Sequence, residues 1–98
     1  MVQLRQGDVF LERVDGLPEG AKPVKGLVLA EGEATGHAHR VTGGRARLFD
    51  SAGKRFLRVS GTATLAHEEH APLALARGVY EVRRQREYSP SEIRQVAD

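Results

Sequence analysis

Glycine and proline cut this chain into short pieces: eleven glycines and four prolines are spread along 98 residues. Such punctuation leaves little room for long helices and suits short alternating strands joined by tight turns. Residues 8–14 read as a first strand, entered through a Gly7-Asp8 turn. Residues 20–26 read as an extended loop, because Pro23 bars a central strand. Residues 27–30, Leu-Val-Leu-Ala, form a continuous apolar run suited to a strand covered on both faces. Gly43-Gly44 reads as a turn, and residues 45–49 and 54–60 as a hairpin around 50–53, with Leu48, Leu57 and Val59 inward. Gly61 punctuates before a strand over 62–67. Residues 73–75 and a last strand over 79–88 follow, split by a turn at Arg77-Gly78. Ser89-Pro90-Ser91-Glu92 has the form of a capping box, which predicts a short helix over 90–97.

These pieces predict a mainly all-β fold. About seven short antiparallel strands would make a small barrel or sandwich with a short C-terminal helix, in a single domain over 1–98. A barrel is the attractive closure because it removes exposed strand edges. With 40% apolar residues and five aromatic ones (three Phe, two Tyr), the core must come mainly from Val, Leu and Ala.

The absence of cysteine excludes disulfides, thiolate zinc sites and cysteine nucleophiles. Residues 1–10 lack a basic segment followed by an apolar run, so no signal peptide is expected there. No apolar stretch is long enough to span a bilayer, and the expected location is the cytoplasm. The formal charge is only +2, but twelve of the fifteen basic residues are arginine. Arg83, Arg84 and Arg86 cluster near the C-terminus, where a guanidinium fork could hold carboxylate or phosphate. The plainer account of that cluster is a solvated strand face partly balanced by Glu81 and Glu87.

All four histidines sit in two short motifs, Thr35-Gly36-His37-Ala38-His39 and His67-Glu68-Glu69-His70. Strand alternation puts His37 and His39 in phase with Val41, and His67 in phase with Ala63 and Leu65. Three imidazoles thus share the apolar face of their strands, and His70 lies just beyond. Imidazole is the commonest metal ligand, and nitrogen-rich sites suit a divalent transition metal such as Zn, Fe or Ni better than Mg or Ca. His37, His39, His67 and His70 are the candidate ligands. Glu68 and Glu69 are the candidate catalytic residues, as general base, fourth ligand or outer-shell partner. Arg84 and Arg86 share the phase of Tyr80 and Val82, and so could hold a small anionic substrate in the same cavity. The purely structural account is a hydrogen-bonded polar cluster steadied by Glu68, Glu69 and backbone.

The chain fits neither the helical zinc-protease motif, since Pro72 follows the second pair, nor a nucleophile elbow, P-loop or dinucleotide fingerprint. The His37-x-His39 pair is similar to the first metal motif of cupins. The match stops there: Gly43 and Gly44 stand where that family carries a glutamate, and the chain has no asparagine for the second motif. The whole chain more closely resembles a group of small uncharacterised bacterial and phage-associated proteins. That resemblance rests on Arg5-Gln6-Gly7-Asp8-Val9, Gly32-Glu33, Thr35-Gly36-His37-Ala38-His39, His67-Glu68-Glu69-His70-Ala71-Pro72, and Arg84-Gln85-Arg86-Glu87-Tyr88 with Pro90. It implies a shared fold and site without supplying a reaction. Two functions therefore compete: a metal-dependent hydrolase or lyase, and a non-catalytic binding or adaptor module with a structural histidine cluster. Arginines 45, 47, 55 and 58 make nucleic acid conceivable for the second, although the low net charge and few aromatics weigh against it. A homo-oligomer built around the cluster is a further expectation.

Overall fold

The computed structural model describes residues 3–31 and 37–84. They form eight strands: β1 Gln3–Gln6, β2 Val9–Val14, β3 Lys22–Val24, β4 Val28–Glu31, β5 Ala38–Ser51, β6 Lys54–Ala66, β7 Leu73–Leu75 and β8 Gly78–Arg84. Every pairing is antiparallel, as the alternating sequence predicts. Among the described residues, no helix is long and apolar enough to cross a membrane. The expected helix over 90–97 lies outside the described residues.

The fold is organised by β5 and β6, strands of 14 and 13 residues. They are joined by a two-residue turn in which Ala52 and Gly53 take φ of 51° and 80°. Positive φ at both central positions is what a tight hairpin needs to follow the right-handed strand twist. Each long strand takes two partners along its outer edge: β6 pairs with β8 and then β7, and β5 pairs with β3 and then β4. The main path runs β1-β2-β8-β6-β5-β3.

Several sequence expectations change here. Gly43-Gly44 does not turn the chain; both residues lie inside β5, at positive φ of 59° and 98°. The register slips on either side of Gly44, so the pair makes a bulge that bends the strand while continuing it. Likewise β6 runs through Gly61 without a break. The sheet is also open. Among the described residues no ladder joins β1 to β3 or β4, so the expected barrel closure is not seen, and there is one eight-stranded sheet where a sandwich needs two. Alternation reports which side chains share a face, but it carries no information on whether the outermost strands meet. Pro23 lies on β3, at the end of the path, where a missing N–H is tolerated.

An open sheet buries a whole face only by curling on itself. Val9 and Leu11 of β2, Leu29 and Ala30 of β4, Val41 and Leu48 of β5, Leu57, Val59 and Leu65 of β6, and Tyr80 and Val82 of β8 form one buried cluster. Each fully buried Leu or Val contributes about 1.5–3 kcal/mol relative to exposure. Tyr80 completes the packing by donating its hydroxyl to Ala76 O at 2.6 Å. On the other face of β8, Glu81 is buried beneath a fork from Arg83 at 3.0 and 3.1 Å. Arg83 is thus balanced by Glu81, as the plainer account expects, although the carboxylate it holds is buried and not solvated.

Candidate metal centre

The β5–β6 register assembles the two histidine motifs. The ladder pairs Arg40 with Ala66. Continuing it outward sets His39 opposite His67, Ala38 opposite Glu68, and His37 opposite Glu69. The contacts follow that extension. The rings of His39 and His67 stand 4.3 Å apart between centroids, Ala38 N donates to Glu68 Oε1 at 3.0 Å, and His37 Nδ1 lies 3.0 Å from Glu69 Oε2. His70 turns back over the cluster, 4.7 Å from the His67 ring and 6.0 Å from His39. His37 meets His67 edge-on at 5.8 Å. One donor atom each of His37, His67 and Glu68 lies within 4.8 Å of the others. All four imidazoles are thus brought together.

The β1–β2 turn enters from across the curl. Gly7 lies directly beneath His70, so close that a Cβ there would come 2.5 Å from His70 Nε2. Gln6 is buried, and its amide nitrogen donates to Leu65 O and Ala71 O, each at 2.9 Å. With both amide hydrogens so committed, Gln6 Oε1 is left to accept, and it faces His39 Nδ1 at 2.9 Å. His39 Nδ1 must therefore carry a proton. His37 Nδ1 is directed at Glu69 in the same way. His67 is the opposite tautomer: its Nδ1 accepts the Glu69 N–H at 3.0 Å.

Beyond His39 stands Asp8, whose Oδ1 lies 3.3 Å from His39 Nε2. Arg84 holds the other carboxylate oxygen at 3.2 Å and also donates to Glu31 O at 3.0 Å. Burial alone would raise the Asp8 carboxyl and is the largest single influence. The hydrogen bond and charge of Arg84 lead the opposing effects, which together hold it below the usual range. His39, 1% exposed, is held below the ordinary histidine range by burial first and by His67 second, against the attraction of Asp8. The N–H of Ala38 leads the effects that keep Glu68 low, and Arg40, 3.6 Å away, adds to them.

A family model described as a domain of unknown function, DUF8820, matches residues 5–85. The chain belongs to that family. No curated protein and no solved structure matches it. The DUF8820 match takes in all four histidines, Gln6, Asp8, Glu68, Glu69 and Arg84. Of the two arginines proposed for an anionic substrate, Arg84 reaches the histidines through Asp8, while Arg86 lies outside the described residues. So does the 32–36 segment preceding His37.

Sequence reasoning overlooked Gln6 and Asp8 in this DUF8820 chain. Residues 3–6 are too short and polar to read as a strand, and Gly7-Asp8 reads simply as a turn. Two signals were available: phase, since Gln6 shares the face of Leu4, which packs against the core, and the Arg5-Gln6-Gly7-Asp8-Val9 motif itself.

The two shifted groups predict acid sensitivity. Because His39 titrates below its ordinary value when folded, the unfolded chain takes up the proton first, and stability falls as pH drops below about 6.5. Asp8, depressed when folded, adds a further loss that begins near its unfolded pKa of about 3.9 and completes as pH falls through its folded pKa. Thermal unfolding of metal-free protein should show a lower midpoint at about pH 5 than at about pH 7.5. A midpoint flat across that interval would contradict the assigned state of His39.

Proposed function

We propose that this protein binds a divalent transition metal (zinc, iron or nickel) at the cluster of His37, His39, His67 and His70, and acts there as a hydrolase or lyase on a small anionic substrate. The supporting observation is the matched state of the H-x-H pair. Gln6 Oε1 accepts a hydrogen bond from the Nδ1–H of His39, and Glu69 Oε2 stands where it accepts one from His37 Nδ1. An acceptor on one ring nitrogen fixes the tautomer that leaves the other nitrogen's lone pair for a metal, and ligating histidines almost always have such a partner. A metal bound there would polarise a substrate oxygen or lower the pKa of a bound water.

The chain's own residues divide the remaining work. Glu68 has one oxygen on Ala38 N and the other near Arg40, and it braces the loop. Glu69 is the more exposed carboxylate and the better placed to take up a proton. At the β5–β6 hairpin end of the sheet lies a cavity of about 950 Å³ in which Lys22, Lys54, Arg55, Arg83 and Arg84 outnumber Asp50 and Glu81, a lining suited to an anion. One observation favours the non-catalytic alternative: no histidine lines that cavity, which meets the cluster through the Arg84–Asp8 contact.

Metal analysis of untagged protein tests the proposal. We expect a stoichiometric transition metal that is lost when His37 and His39 are replaced by alanine. Metal-free protein whose melting temperature is unmoved by added zinc, nickel or iron would overturn it.

A further inference from the structure

The pair His39 Nε2 and Asp8 Oδ1 has chemistry that the four-histidine account leaves unused. Gln6 places the His39 proton on Nδ1, so a neutral ring presents a bare lone pair at Nε2. That lone pair faces a carboxylate oxygen at 3.3 Å. Two acceptors turned toward each other, here a buried ring and a half-buried carboxylate, repel unless a cation lies between them. Were that cation a proton, His39 would become an imidazolium at 1% exposure, with two further imidazole rings against it. A tetrahedral metal bound at about 2.0–2.1 Å to nitrogen and oxygen holds those two donors about 3.3–3.4 Å apart.

We infer that Asp8 is a direct metal ligand, paired with His39 Nε2, and that Arg84 is the positioning residue that turns Asp8 Oδ1 toward the ring. The inference rests on the metal-binding reading above and changes its donor set from imidazole alone to mixed nitrogen and oxygen. Arg84 grips Oδ2 and is itself anchored on Glu31 O, so the carboxylate is held in one orientation. A carboxylate also gives the site an anionic donor, which four neutral imidazoles lack. Mixed imidazole and carboxylate donors suit zinc and iron(II), whereas copper(I) prefers soft sulfur ligands.

The test compares zinc titrations of untagged wild type, His39→Ala and Asp8→Asn. Working in about 1 M salt, where the screening length is ~3 Å, suppresses a purely through-space effect of the lost charge. Asp8→Asn keeps the size of the side chain and an oxygen for Arg84, so the fold should persist; the metal-free melting curve checks this. We expect Asp8→Asn to weaken zinc binding about a hundredfold or more, beyond the 10- to 100-fold typical of outer-shell partners. Asp8→Glu, which restores a carboxylate, should recover part of that loss even if the asparagine variant folds poorly. Cobalt(II) substituted into wild type should give a visible spectrum that Asp8→Asn alters. If wild type takes up no zinc, the metal reading itself falls. If wild type binds, His39→Ala does not, and Asp8→Asn binds like wild type, the assignment of Asp8 alone is overturned.

Discussion

Replacing Gly44 by alanine should abolish the folded state or lower its melting midpoint by about 15–30 °C, taking roughly 4 kcal/mol at 4–8 °C per kcal/mol for a domain of this size. Two costs combine. Gly44 has φ +98°, a conformation that side-chain-bearing residues rarely adopt. In addition, a Cβ at this position would overlap the carbonyl oxygen of Thr62 and lie 2.7 Å from its carbonyl carbon. Both obstructing atoms are backbone on the neighbouring long strand, so no rotamer change relieves the clash. Total stability of a small domain is about 5–15 kcal/mol, which makes such a loss nearly decisive. Gly43 provides the control. Its φ of +59° suits asparagine, and nothing lies within 4 Å of a Cβ built there. Gly43→Asn should therefore melt within a few degrees of wild type. Circular dichroism melts of the two variants decide the matter; a Gly44→Ala curve close to wild type would show that the bulge does not hold the bend.

Gln6→Leu has the second largest expected effect, and it should act on stability and metal affinity together. The substitution removes the donors serving Leu65 O and Ala71 O and the acceptor serving His39 Nδ1. Each buried polar group left without a partner costs about 1–3 kcal/mol, partly offset by the added apolar surface of leucine. A net loss of about 3 kcal/mol is expected, read as a fall of roughly 12–24 °C in the melting midpoint. Zinc affinity should fall about 10- to 100-fold, as it does when the partner that sets a ligand's tautomer is lost. Nitrogen chemical shifts of the His39 ring supply a separate readout, because the proton is free to move to Nε2 once Gln6 is gone. Unchanged stability, affinity and ring shifts would remove Gln6 from the site.

The histidine site was partly legible in the chain. Phase alone put His37, His39 and His67 on the apolar side of their strands, and the geometry brings those rings together with His70. Alternation also put Tyr80, Val82 and Arg84 on one side, and Arg84 does reach the cluster through Asp8. The cross-strand partners were not legible. That Glu69 faces His37 while Glu68 braces Ala38 follows from one register, and register depends on where β5 and β6 align, which neither strand encodes alone. The Gly43-Gly44 pair misled for a related reason. Positive φ serves a turn and a bulge equally well, and the choice is made by the partner strand opposite. Gln6 and Asp8 escaped notice because their importance comes from a tertiary approach, the β1–β2 turn meeting the end of β6.

That approach has a consequence for how the molecule opens. Among the described residues no strand ladder ties the β1–β2 turn to the end of β6; side chains do so, through Gln6 on Leu65 and Ala71, and Asp8 on His39. The seam of the curled sheet is thus fastened beside the four-histidine cluster. If the proposed ion is held between Asp8 and the histidines, it would work as a clasp, because separating the seam would take its donors apart. At a hundredfold excess over its dissociation constant, such an ion would add about 2.7 kcal/mol to the closed form. On the proposed reading, emptying the site and loosening the edge of the fold would be one event.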